Sequence, residues 1–345
     1  MTDASARFLS TWFIVGLGLG VRFITYYYLE DFFKPSPQFV TPANSFKRFE
    51  EAVFLDDLGV NLYDGDMIHV IFIKPDDHWL LYSVELFGAD EFASRCIHSV
   101  VLSALSLALA VHLNVYYVVL LASFALHFSA RWPTAVAVGA ASFALPLAAN
   151  LALCSDAGAL LRSTFGFYFF VSDLTPNCGL FWYFFAQIFE HYQLLFLFTF
   201  QINVFIYLVP LMTTLRNNVP FLTVSLIMSV SILSSYPSYA EAALYLPMIF
   251  AFVDFHKYIR YTLITGATLV TCTVLMPVMW RMWVVTGTGN ANFFFAIVCV
   301  YALAQIFLFC DMASAYLRAQ MIRECGLEKR ENEIEQLKFV EPALF

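Results

Sequence analysis

Asp64-Gly65-Asp66 sets two carboxylates at i and i+2, a spacing that can hold a divalent metal together with a sugar-phosphate, because hard cations take oxygen ligands. Asp-Gly is equally a common turn former, so the tripeptide also reads as a plain turn. Glu30-Asp31 is a second acidic pair, placed where it can simply end an apolar helix. A different chemistry is offered by Ser172-Asp173-Leu174-Thr175-Pro176-Asn177, which precedes the aromatic run from Gly179 to Phe185 and then Glu190-His191. Asp173 or Thr175 is positioned to cap the aromatic helix, and the helix to lie at an interface or re-enter the membrane beside a cavity. The stretch Gly287-Thr288-Gly289-Asn290-Ala291-Asn292 opens a further apolar segment. Its free amides suit a phosphate or sugar hydroxyls, or one Asn serves only as a cap.

Four polar residues fall inside apolar segments: Gln201, Asn203, Gln305 and Asp311. Such residues are costly in hydrocarbon and mark sites or helix contacts. Gln201 and Asn203 are expected to hydrogen-bond between helices, and Asp311 to face Arg318. No Ser/His/Asp or Cys/His arrangement and no nucleotide-binding loop is evident. The seven cysteines are scattered without CxxC or metal-ligand spacing. The residues therefore assign no catalytic group, metal or cofactor, and the chain alone is expected neither to cleave nor to transfer.

The elements that must position these residues belong to a membrane. Of 345 residues, 61% are hydrophobic, 13% are charged and 38 are Phe. A soluble domain carries about 25% charge, so a soluble fold, a disordered chain and a disulfide-stapled scaffold are all excluded. A net charge of −8 without a basic run excludes a nucleic-acid binder. The pattern predicts an all-α polytopic protein forming one membrane domain over 1–345, with about ten transmembrane helices (8–12). A first span, Phe8 to Tyr28, is followed by a polar loop (29–92) with helical character from Ser45 to Asp57 and an interfacial piece from Trp79 to Phe87. Apolar segments then recur at 93–113, 115–130, 134–153, 158–171, 193–215, 219–235, 240–255, 258–280 and 291–316, before a charged tail at 319–345. Arg7, Arg216, Lys257, Arg260, Arg318 and Arg323 mark one face as cytosolic. The 29–92 loop, Ser172 to Asn177, Ser234 to Glu241 and Arg281 to Asn292 fall on the other face. Trp182, Tyr183, Trp280 and Trp283 edge that face, where an interfacial aromatic belt is one reading.

Several strings combine into a resemblance. Thr41-Pro42, Ser45 to Arg48, Glu51, Leu55 to Val60 and Tyr63-Asp64-Gly65 resemble the first luminal loop of the U subunit of the GPI transamidase. DLTPNCGLFWYFFAQIFEHY (173–192), FQINVF (200–205), SYPSYAEAALYLPM (235–248) and MPVMWRMWVVTGTGNANFFFAI (276–297) resemble that family in the same order. The resemblance implies a multi-pass protein of the endoplasmic reticulum membrane with a fold similar to GT-C mannosyltransferases. It implies a non-catalytic subunit that recognises and presents the GPI lipid, beside a caspase-like cysteine protease subunit and the other transamidase subunits, in contact with membrane lipids and not nucleic acid. The residues expected to meet the GPI lipid are Asp173, Thr175, Pro176, Asn177, Trp182, Glu190, His191, Tyr236, Asn290 and Asn292. The alternative is a GT-C enzyme transferring mannose from a dolichol-phosphate donor, for which Asp64 or Asp66 would act on the acceptor.

Overall fold

A computed structural model describes residues 27–28, 36–39, 48, 51, 54–55, 58–60, 63, 99–153 and 156–325. The regular elements among them are all helical. From the first described helix they are α1 (Val100–Leu113), a 3-10 segment (Val115–Leu120) running into α2 (Leu121–His127), and α3 (Trp132–Leu153). Next come α4 (Ala157–Leu161), a π turn (Arg162–Gly166), α5 (Phe167–Phe170), α6 (Phe181–Gln187), α7 (Glu190–Ile206) and α8 (Leu208–Thr214). The chain continues through α9 (Val219–Leu233), α10 (Tyr239–Ile249), α11 (Val253–His256), α12 (Thr262–Val284) and α13 (Ala291–Glu324). Four stretches are long and apolar enough to cross a membrane: Ser129–Ala152, Glu190–Thr214, Thr262–Val284 and Ala291–Glu324. The first span apart from Tyr27 and Tyr28, Glu30-Asp31, Asp64 and Asp66, the 79–87 piece and the tail beyond Cys325 lie outside the described residues.

The core is organised around α9. Asn218 accepts the Phe221 amide and Pro220 sits in the first turn, so the start is fixed by sequence. A helix apolar on every side must be buried on every side. Phe221, Leu222, Val224, Leu226, Met228 and Val230 are accordingly buried, against α2, α7, α8, α10, α13 and the 3-10 segment. At 15 residues α9 is about 22 Å long, shorter than the ~30 Å hydrocarbon layer.

Three local expectations are corrected. The 158–171 segment is not one regular helix: α4, the π turn and α5 run on from one another and fold back along α3. Leu147 and Leu151 pack on Ala159 and Leu160, and Phe143 meets Phe165. Hydropathy alone cannot separate a span from the short leg of such a hairpin. The aromatic helix is not capped by Asp173 or Thr175: its N-cap is Leu180, with no side-chain bond. Nor does it end in Glu190-His191, because the backbone turns extended at Ile188 and Phe189 and those two residues begin α7. Asp311 does not serve Arg318. Its carboxylate accepts the backbone amides of Arg260 (3.1 Å) and Tyr261 (2.8 Å), supplying from α13 the cap that α12 lacks. The Arg318 guanidinium instead lies 5.5 Å from the ring centroid of Tyr258.

Candidate functional site

The site begins at a forced turn. α5 ends on Val171 at φ 50 and ψ 55, a left-handed conformation rare for a β-branched residue. Side chains from three other segments hold the carbonyls just upstream. The Gln201 amide donates to the carbonyls of Tyr168 (2.9 Å) and Phe169 (3.0 Å), and the Ser235 hydroxyl donates to Tyr168 (3.0 Å). The Tyr116 hydroxyl donates to Gln201 Oε1 at 2.7 Å and also meets the Ser235 hydroxyl. Gln201 thus makes the interhelical bonds expected of it, whereas Asn203, half-buried on the same helix, makes none among the described residues.

From Val171 the chain enters the 172–177 connection. Asp173 Oδ1 accepts the Thr175 amide (2.8 Å), and the Asp173 amide donates to the Tyr236 hydroxyl (3.2 Å). Asp173 Oδ2 pairs with Arg48 Nη2 at 3.3 Å. Asn177 is buried; its Oδ1 accepts the Gly179 amide (2.7 Å), and its carbonyl accepts the indole N–H of Trp182 (3.0 Å). Tyr236 stacks on Phe167 with centroids 4.5 Å apart, and burial raises its phenol well above the ordinary value, so the hydroxyl stays neutral. Gly179 sits against Pro237, where a side chain would have no room. The first polar loop joins the cluster: the Gln38 carbonyl accepts the Tyr239 amide (2.9 Å), and Phe39 packs edge-on to Tyr239.

A third connection closes the group. Trp182 is buried beside Trp283, Phe294 and Phe295, so it is a packing residue rather than part of an exposed interfacial belt. Tyr183 stacks on Phe295 at 4.1 Å and donates its hydroxyl to Asn292 Oδ1. Asn290 caps α13, its side-chain oxygen accepting the amides of Asn292 and Phe293. Asp173, Thr175, Pro176 and Asn177 therefore lie in the 172–177 connection and Tyr236 in the 234–238 connection that meets it, while Trp182 lies in α6 beside them and Asn290 and Asn292 at the start of α13, which α6 reaches through Tyr183. Glu190 and His191 lie exposed at the start of α7, and the ring contacts of His191 are with Phe189 and Tyr192. Arg48, Gly179, Tyr116 and Ser235 belong to this site without having been singled out in the sequence. Only Gly179, between Asn177 and an aromatic run, left a local trace.

Beneath the cluster, Ser238 and Glu241 form a reciprocal capping box, with the Ser238 amide on Glu241 Oε2 at 2.7 Å. Glu241 is buried. Glu241→Ala strands the Ser238 amide and is expected to destabilise the protein by about 1–2 kcal/mol, read as a lowered melting temperature. An unchanged melting temperature would show that the box contributes nothing. Among the described residues no three His, Cys, Asp or Glu side chains converge as a metal site. The arrangement presents one ion pair, neutral amides and hydroxyls, and an aromatic wall. That chemistry suits holding a polar headgroup beside apolar chains.

Comparison with known proteins supplies the family. The family described as GPI transamidase subunit PIG-U matches residues 16–72 and 80–301. The GPI-anchor transamidase component PIGU of Cricetulus griseus is 36% identical over 243 residues, covering 66% of this chain and 56% of that protein. The Homo sapiens protein of the same name is 38% identical over 167 residues, covering 48% of this chain and 38% of that one. The GPI transamidase component GAB1 of Saccharomyces cerevisiae is 33% identical over 170 residues, 49% of this chain and 43% of its own. The matched region thus spans about half the length of these curated relatives. With the greater part of its length matched in order, the chain belongs to the PIG-U family of GPI transamidase subunits.

Proposed function

We propose that the chain is a non-catalytic membrane subunit of a GPI transamidase, and that its gathered connections recognise and present the GPI lipid. The observation that carries this is the family match taken with the meeting of 172–177 and 234–238 beside the aromatic α6, which reaches the start of α13. The relatives' names favour a transamidase component over the mannosyltransferase. In this reading the fold is GT-C-like with about ten spans, the described helices being part of it. The protein resides in the endoplasmic reticulum membrane, and its partners are a caspase-like cysteine protease subunit and the other transamidase subunits. Purification of the chain from membranes followed by mass spectrometry tests the assignment. Co-purification of a caspase-like protease supports it, and its consistent absence overturns it.

Within this reading Asn290 serves twice: its oxygen caps α13, and its Nδ2 is a donor facing outward from an exposed position. Asn290→Asp keeps the capping oxygen and removes the donor, whereas Asn290→Ala removes both. The Ala variant is expected to lose about 1 kcal/mol of stability and the Asp variant to keep it. Both are expected to weaken binding of a soluble GPI analogue to the purified complex. Full binding by the Asp variant would reduce Asn290 to a cap.

A further inference from the structure

Polar side chains inside the long helices find partners in two ways. Some bond across to another element, as Gln201 does with the carbonyls of Tyr168 and Phe169. Others bond back to their own helix. The Thr199 hydroxyl donates to the Leu195 carbonyl, and the Asn150 amide in α3 to the Pro146 carbonyl, both at 2.9 Å. Asn203 does neither: half-buried on α7, it has no hydrogen-bond partner among the described residues. Its place makes that costly. Asn203 stands midway between Glu190, exposed at the start of α7, and Arg216, exposed beyond α8, with about 20 Å of helix separating it from Glu190. Half of a ~30 Å hydrocarbon layer is about 15 Å, so its short side chain reaches water from neither end. An amide left without a partner in hydrocarbon is strongly unfavourable.

The face around Asn203 has the form of a helix contact. Tyr192, Phe196, Thr199, Asn203 and Ile206 follow one another at alternating intervals of four and three, the spacing that keeps one seam of a helix against a neighbour. Tyr192 and Ile206 are 48% and 56% exposed, Thr199 is exposed, and Phe196 borders α6 through Phe184. The buried residues of α7, Leu197, Gln201 and Val204, form a different seam that faces the core. The Glu190–Thr214 stretch is also the least buried of the four long apolar stretches. Lipid chains suit the apolar members of the outer seam, but they carry no group that bonds Asn203. A single Asn on a coiled-coil seam fixes the register of the facing helix, and amides and hydroxyls join membrane helices in the same way.

We propose that this seam of α7 seats a transmembrane helix of another subunit, and that Asn203 pairs there with an amide or hydroxyl side chain of that helix. That the occupant is another subunit rests on the transamidase reading; the seam itself rests on α7. The test uses the chain in its native membranes. Benzoylphenylalanine, a photo-crosslinker, is placed at Ile206 on the seam and, as a control, at Phe198, which is 68% exposed on a different face of α7. After irradiation the chain is purified with its partners and the cross-linked peptides are sequenced. Ile206 is expected to give an adduct to an apolar segment of a co-purifying subunit that bears an amide or hydroxyl residue, and Phe198 to give little of it. Adducts only to lipid, to a second copy, or to this chain's own residues, 8–28 included, overturn the proposal. Asn203→Leu is expected to lower the yield of the Ile206 adduct per chain by about 3–10-fold, the scale of one interhelical bond. Asn203→Gln is expected to retain most of it. Because Asn203 bonds nothing among the described residues, Asn203→Leu is expected to leave the level of the chain in the membrane unchanged. An unaltered yield per chain in Asn203→Leu overturns the pairing, as does a loss of adduct that only follows the membrane level. A seam adduct within an assembly that lacks a caspase-like protease would instead remove the transamidase reading and leave the seam.

Discussion

Gly179→Ala is expected to destabilise the protein by about 2–3 kcal/mol, and Gly179→Val by more, with loss of the chain from membranes. A Cβ built at Gly179 lies 2.6 Å from Pro237 Cδ and 2.9 Å from both Pro237 Cγ and Asn177 Oδ1. None of these neighbours can swing aside. Pro237 is a ring fixed in a buried connection, and Asn177 Oδ1 is committed to the Gly179 amide. The 172–177 and 234–238 connections would have to separate, and with them the Asp173–Tyr236 contact. Gly266 provides the control, because a Cβ there meets nothing within 4 Å. Gly266→Ala, inside α12, is expected to be neutral or slightly stabilising through helix propensity. Melting temperatures of the two purified variants make the comparison. Equal values would show that the close approach at Gly179 carries no cost.

How much of this was legible in the sequence depended on the range of the cause. Local causes were readable: Asn290 as a possible cap, the turn in 172–177, and Gln201 as an interhelical donor all follow from residue type and neighbours. The meeting of 172–177 with 234–238 fits the expectation, from alternating basic and uncharged connections, that the two share a face. Long-range packing was not readable. Hydropathy marks 158–171 as one more apolar segment, and only its packing on Phe143, Leu147 and Leu151 shows it folded back against α3. Arg48 was invisible for a related reason. Its partner Asp173 lies 125 residues away, and nothing in the composition of either loop announces the pairing. Asp311 was misassigned because charge complementarity pointed to Arg318, whereas two unsatisfied backbone amides at the start of α12 were the stronger demand.

Gln201→Glu is expected to be more damaging than Gln201→Leu, and both to disturb the 172–177 connection more than the rest of the fold. The Gln201 amide is the donor that two consecutive carbonyls share, those of Tyr168 and Phe169, immediately before Val171 adopts its left-handed turn. Leucine removes the donor and also the acceptor of the Tyr116 hydroxyl, at about 1–3 kcal/mol for each buried group left without a partner. Part of that loss is recovered, because Ser235 still donates to Tyr168 and Tyr116 still meets Ser235. Glutamate keeps an acceptor for Tyr116 but aims a carboxylate at two carbonyl oxygens in a buried place, where an unpaired charge is far costlier than a missing bond. A site governed by packing volume alone would rank the two variants the other way. Gln305 offers a contrast, since it accepts from the hydroxyls of Ser231 (2.9 Å) and Tyr245 (2.9 Å). In Gln305→Leu the Ser231 hydroxyl can turn back to a carbonyl of its own helix, so the expected loss is smaller. With the strained turn at Val171 no longer held, the connection is expected to relax. Proteolysis within 172–177 of membrane-embedded protein should therefore rise in both Gln201 variants and not in Gln305→Leu. Equal cutting in all three would mean that the shared donor does not set the loop.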